Sequence, residues 1–160
     1  MDIQHEVVAA LLNRGLKLAT AESCTGGLIA KMITDVSGSS GVFECGIVSY
    51  ANRIKHSVLG VSSETLERFG AVSEQTAREM AAGALKVSGA DLAVAVTGIA
   101  GPESDGTDKP VGLVYIALSD GKNTIVKKCL NGFSSDVREN NRRRSAEEAL
   151  NMVLEYLKNE

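Results

Sequence analysis

The sequence predicts an α/β domain of three layers, helix, mixed sheet and helix, and three observations carry that prediction. Residues 92–97 (L-A-V-A-V-T) are apolar on both alternating faces, as a central strand covered on both sides must be. Residues 111–118 and 124–130 are strand-like runs joined by Ser-Asp-Gly-Lys-Asn, a hairpin that makes the sheet partly antiparallel and excludes a purely parallel Rossmann arrangement. Residues 140–158 carry Ala146, Ala149, Leu150, Val153, Leu154 and Leu157 at helical spacing, an inward stripe that covers the sheet.

The remaining elements follow in order. Ile3, Val7, Val8, Leu11 and Leu12 form a helical stripe that stops at Gly15, a residue suited to a left-handed cap, and residues 16–21 then read as a short strand. A second helix runs from Thr25 or Gly26 to Val36, buries Leu28, Ile29, Met32 and Ile33, and ends at Gly38. Residues 42–50 supply the next strand, which leaves Ser39 and Ser40 in the connecting loop. A helical turn over 52–59 precedes another opened by Ser62 or Ser63 and closed by Gly70. Ser73 then caps a longer helix bearing Ala77, Met80, Ala81, Ala84 and Leu85, which Gly89 ends. The central strand runs directly into the loop 98–110, G-I-A-G-P-E-S-D-G-T-D-K-P, a place where function often sits.

With 160 residues and 44% apolar content, the chain reads as a single domain, 1–160, able to bury a core without metal or disulfide staples. A formal net charge of −3 and 4% aromatic residues supply neither the basic face nor the stacking rings of a nucleic-acid binder. Cys24, Cys45 and Cys129 are odd in number and form no C-x-x-C pair, which suits a reducing cytosol. No basic leader with an apolar stretch and no run of 18 apolar residues is present, so the expectation is a cytoplasmic protein without a membrane partner.

Chemistry concentrates between Ala21 and Lys55. Gly26 and Gly27 follow a strand and open a helix, where free N–H groups and the helix dipole suit a phosphate or carboxylate; the plain alternative is close helix packing. Gly98 and Gly101 divide in the same way between ligand approach and a tight turn. Ser39 and Ser40 with Lys55 suggest a serine nucleophile activated by a neutral lysine. That chemistry requires the lysine, ordinarily near pKa ~10.4, to be brought down by about 3 units, which burial can do. The ordinary reading leaves Lys55 a solvated surface charge, the serines loop and cap residues, and Tyr50 a strand residue. Cys24 at a helix start with His56 as base is a competing nucleophile, although neither histidine has an evident orienting partner. Glu22, Asp35 and Glu44 lack the spacing of a metal motif, so no metal is expected. Arg138, Arg142, Arg143 and Arg144 could clamp a phosphate or form a solvated face.

Five segments in the same order, A-E-S-C-T-G-G at 21–27, G-S-S at 38–40, Y-A-N at 50–52, G-A-V-S at 70–73, and T-G-I-A-G-P with K-P-V-G across 97–112, resemble the CinA C-terminal domain family over nearly the whole chain. The resemblance implies the family's three-layer fold and an amidohydrolase that converts nicotinamide mononucleotide (NMN) and water to nicotinate mononucleotide and ammonia in pyridine nucleotide salvage, without a cofactor. It implies Ser40 as nucleophile, Lys55 as general base and Tyr50 as a nearby hydroxyl that orients or relays the proton. Thr97 with Gly98 to Gly101 then holds the substrate and stabilises the oxyanion, Ser39 is a further substrate-binding residue, and the Gly26–Gly27 helix start with Arg138 or Arg142 meets the phosphate. A homodimer is implied as well. The alternative is a non-catalytic nucleotide-binding module of a competence or DNA-damage-inducible protein, and a surface position for Lys55 would favour it.

Overall fold

The chain runs α1 (Ile3–Arg14), β1 (Leu18–Glu22), α2 (Leu28–Thr34), β2 (Phe43–Val48), α3 (Asn52–Leu59), α4 (Ser63–Phe69), α5 (Glu74–Ser88), β3 (Leu92–Gly98), β4 (Leu113–Ser119), β5 (Thr124–Leu130) and α6 (Val137–Asn159). These elements come from a computed structural model that describes residues 1–160. The sheet order is β2-β1-β3-β4-β5; β1 pairs in parallel with β2 and β3, while β3–β4 and β4–β5 are antiparallel. The expected hairpin is therefore β4–β5, and the sheet is mixed.

Residue size on the two faces of β3 sets the layers. Leu92, Val94 and Val96 point into the larger core with Val7, Leu11, Ile29, Ile33, Leu150 and Val153, which puts α1, α2 and α6 on that side. Ala93 and Ala95, joined by Ala19, Ala21 and Ala117, face the other side against Ala77, Met80, Ala81 and Ala84 of α5. Small residues on both partners let α5 lie close to the sheet. The same closeness recurs where α5 crosses the end of α3: a Cβ on Gly83 would stand 1.9 Å from the Leu59 carbonyl oxygen.

Start and stop signals act as the sequence suggests, with shifts of a few residues. Ser62 and Ser73 accept from the N–H groups of Thr65 and Thr76 and so cap α4 and α5. The first strand is 18–22 rather than 16–21, the second is 43–48 rather than 42–50, and the last helix begins three residues earlier than expected. The second helix starts later, at Leu28, because Gly26 and Gly27 sit at φ 60 and 99, outside the helical region. Ser39 to Gly41 form a single 3-10 turn ahead of β2.

Topology decides where a site can form. From β1 the chain crosses through α2 to β2 on one side, and it reaches β3 on the other side through α3, α4 and α5 on the opposite face. The carboxyl ends of β1 and β3 thus diverge at a switch point, the crevice where open α/β sheets bind ligands.

Candidate active site

A cleft of about 280 Å³ opens at that switch point. Ser23 and Cys24 enter it from the end of β1, Tyr50, Asn52 and Lys55 from the β2–α3 junction, and Thr97 to Gly101 from the end of β3. Glu103 and Asp105 of the following loop and Arg138 of α6 complete its rim.

Lys55 is the largest fully buried side chain in the protein, 1% exposed. Its Nζ lies 3.0 Å from Ser23 Oγ, 2.9 Å from the Ser49 carbonyl oxygen and 3.0 Å from the Tyr50 carbonyl oxygen. None of the chain's ion pairs involves it. Burial without a carboxylate partner disfavours the ammonium form and moves the amine below its usual 10.5, with the Cys24 side chain acting weakly in the other direction. As an ammonium the group donates to all three neighbours; once neutral, its two N–H bonds stay with the two carbonyls and the lone pair is left to accept from the Ser23 hydroxyl. Ser23 is itself 92% buried, its exposure being 8%, yet it lines the cleft.

Ser40, expected as the nucleophile, is corrected by this geometry. It lies in the 3-10 turn before β2, whereas Lys55 follows the other end of the same strand. Six residues of β2 span about 20 Å at ~3.3 Å each, far beyond proton transfer. Ser39 is buried in the same turn and is equally remote from the cleft. Tyr50 does line the cleft, but it is the carbonyl that meets Lys55, while the hydroxyl accepts from Arg138 at 3.0 Å.

The expected phosphate site at Gly26 and Gly27 is also overturned. The N–H groups of Ile29 and Ala30 at the start of α2 donate to the two carboxylate oxygens of Glu22, at 2.8 and 3.1 Å. The buried Glu22 thus supplies the anion that the helix start favours, from within the chain. Gly26 serves packing instead: its Cβ would come within 3.2 Å of the Arg142 guanidinium, which donates to the Cys24 carbonyl at 3.2 Å and the Thr25 carbonyl at 3.0 Å. Arg142 holds the turn behind Ser23, and Arg138 is the arginine on the cleft, anchored to the Gly101 carbonyl at 2.8 Å.

Thr97, Gly98 and Gly101 do line the cleft, with a qualification for Thr97. Its hydroxyl donates to the Ala71 carbonyl at 2.7 Å, so it fixes the neighbouring lining. Asn141, buried on α6, donates to the Ala100 carbonyl at 2.7 Å and steadies the same loop from behind. The Cys24–His56 pair does not form. Desolvation pushes the Cys24 thiol up to about 12, and His56 is exposed with its Nδ1 on the Val61 carbonyl. No three metal-ligating side chains converge anywhere, and no helix is long and apolar enough to cross a membrane.

Sequence reasoning missed Ser23, and it weighed Glu22 only as a metal ligand rather than as the carboxylate that meets the start of α2. The signal available for Ser23 was its place directly after a parallel strand, where catalytic groups of such sheets gather.

Relatives share this architecture. The sequence model of the CinA C-terminal domain matches residues 1–157. A "CinA-like protein" of Syntrophomonas wolfei is 54% identical over 153 residues, which is 96% of this chain but 36% of that protein, so the chain spans about a third of such longer relatives. A protein of Enterobacter agglomerans named nicotinamide-nucleotide amidohydrolase PncC is 49% identical over 99% of this chain and 96% of its own length. Among solved structures, the competence/damage inducible protein CihA of Agrobacterium tumefaciens superposes with TM-score 0.90 at 44% identity, over 99% of this chain and 96% of its own. A CinA superfamily protein of Klebsiella pneumoniae does so with TM-score 0.94 at 32% identity, over 99% and 97%. The chain belongs to the CinA C-terminal domain family.

Proposed function

We propose that this protein hydrolyses the carboxamide of a pyridine nucleotide, converting NMN and water to nicotinate mononucleotide and ammonia, with Ser23 as nucleophile and Lys55 as general base. The observation that carries the reading is the 3.0 Å contact between Ser23 Oγ and a buried, unpaired lysine amine at the switch point. The similarity to the Enterobacter agglomerans amidohydrolase over nearly its full length supports the substrate. A surface lysine would have favoured a silent binding module; the burial of Lys55 supports catalysis instead.

Ser23 attacks the carboxamide carbon as its proton passes to the Lys55 lone pair. The resulting ammonium is held by the Ser49 and Tyr50 carbonyls, which are already in place. Lys55 returns the proton to the leaving nitrogen, ammonia departs, and Ser23 is left as an ester. A water that gives one proton to Lys55 then attacks the ester carbon, Lys55 passes that proton to the departing Ser23 oxygen, and the nicotinic acid formed loses its remaining proton to solvent as it leaves as the carboxylate. Charge on the amide oxygen needs donors; Cys24 and Gly101 line the cleft, and the Gly101 N–H donates to no protein acceptor. Arg138 is the group for the 5′-phosphate, and the reaction would serve pyridine nucleotide salvage.

The test is ammonia release from NMN by the wild type and by Ser23→Ala and Lys55→Met. Turnover in the wild type with loss in both variants is expected; full activity in either variant removes the mechanism.

A further inference from the structure

Two motifs, Gly70-Ala-Val-Ser73 and Lys109-Pro-Val-Gly112, enter none of the steps above, and they meet in space. Lys109 Nζ donates to the Phe69 and Val72 carbonyls, each at 2.6 Å. Gly70, between them, is at φ 80, and a Cβ there would stand 3.2 Å from the ammonium. The turn is pinned throughout. The Gly70 carbonyl accepts from Ser73 Oγ at 3.0 Å and Thr76 Oγ1 at 2.7 Å, and the Ala71 carbonyl accepts from Thr97 Oγ1 at 2.7 Å. Four successive carbonyls, from Phe69 to Val72, are therefore each held by side chains.

Ala71 and Val72 are part of the cleft lining, and so are Gly101, Glu103 and Asp105 of the loop that carries Lys109. Ser73 and Thr76 sit at the start of α5 and Thr97 on β3, so they tie the turn to the scaffold. Lys109 supplies the side-chain hydrogen bonds that tie it to that loop, beside the packing of Val72 on Ile99. It takes part in no ion pair, so its charge is met by the carbonyl oxygens it bridges.

We propose that Lys109 is a positioning residue that holds these two parts of the cleft lining at a fixed separation and so sets substrate affinity. This rests on the amidohydrolase reading for its substrate. Ser23 and Lys55 are supplied by other segments, and the Gly101 end of the loop is held independently by Arg138 on the Gly101 carbonyl and Asn141 on the Ala100 carbonyl, so loss of the latch acts on binding before chemistry.

The experiment measures KM and kcat for ammonia release from NMN by the wild type, Lys109→Met and Lys109→Arg, with thermal unfolding of each. Lys109→Met is expected to raise KM about tenfold with kcat within about twofold, the signature of lost binding rather than lost chemistry. Lys109→Arg, whose fork can span two carbonyls, is expected to bring KM back to within about threefold of wild type. An unchanged KM in Lys109→Met, a loss confined to kcat, no rescue by arginine, or a Lys109→Met protein that does not fold would each overturn the proposal. A wild type without turnover sinks the amidohydrolase reading and moves the comparison to the NMN dissociation constant by calorimetry. Tenfold weaker binding by Lys109→Met then still supports the latch, and equal binding, or none by the wild type, overturns it.

Discussion

Ser23→Ala and Ser40→Ala separate the two serine assignments. Ser23 Oγ is 3.0 Å from the Lys55 amine, whereas Ser40 is displaced from it by the length of β2, about 20 Å for its six residues. Removing a serine nucleophile that works as a unit with its base costs at least about 10³-fold in kcat/KM, or about 4 kcal/mol of barrier. Ser40→Ala, in an exposed turn, is expected to stay within about twofold. The fold should survive both changes, since Ser23→Ala gives up one hydrogen bond, about 1 kcal/mol. The assay is enzyme-coupled detection of ammonia from NMN, with thermal unfolding to confirm equal folding. The double variant Ser23→Ala/Lys55→Met should be no slower than Ser23→Ala, because the second change removes nothing that still functions. Turnover retained by Ser23→Ala, together with an inactive but folded Ser40→Ala, would refute the assignment of the nucleophile.

Other expectations follow from the same geometry. Because burial lowers the Lys55 pKa, kcat/KM should rise with pH through the folded-state value and level off while still below the ordinary 10.5. Stability has the matching sign: between the folded-state pKa and 10.5 the unfolded chain binds the extra proton, so the wild type gains stability with rising pH across that window. Lys55→Met lacks that gain, and urea unfolding at a series of pH values would show it; parallel curves would argue against a depressed amine. The Cys24 thiol, at about 12, is ionised to only about one part in 10⁴ near pH 8, so iodoacetamide should leave Cys24 unlabelled by mass analysis, and Cys24→Ala should keep activity within about threefold. Gly83→Ala would ordinarily favour a helix, yet a methyl 1.9 Å from the Leu59 carbonyl reverses the sign, with an expected loss of about 3 kcal/mol in urea unfolding.

Much of the fold was legible because burial on two unlike faces leaves a mark in the sequence. The L-A-V-A-V run of β3 announces a central strand, and the structure adds that the valines serve one core and the alanines the other. The 119–123 turn gave the antiparallel edge, and Ser62 and Ser73 gave their helices. What could not be read was the start of α2. Gly26 and Gly27 look like a helix entry in sequence, but both adopt positive φ, and the carboxylate that satisfies the helix start comes from Glu22, at the end of the preceding strand. A side chain that reaches forward across a turn has no periodic signature.

The site divides along the same line. Lys55, Thr97, Gly98, Gly101 and Arg138 were named from the sequence and lie on one cleft, because each is close to the end of an element whose existence was readable. Ser40 was named with them because it is near Lys55 in the chain, and nearness along a chain is a poor guide when a strand intervenes. β2 separates its own two ends, so residues just before it and just after it belong to opposite edges of the sheet. Residues that follow different parallel strands, such as Ser23 after β1 and Lys55 after β2, share an edge at any separation in sequence. Applied to this chain before any coordinates, that rule selects Ser23 over Ser40, and the short Ser23–Lys55 contact is what it anticipates.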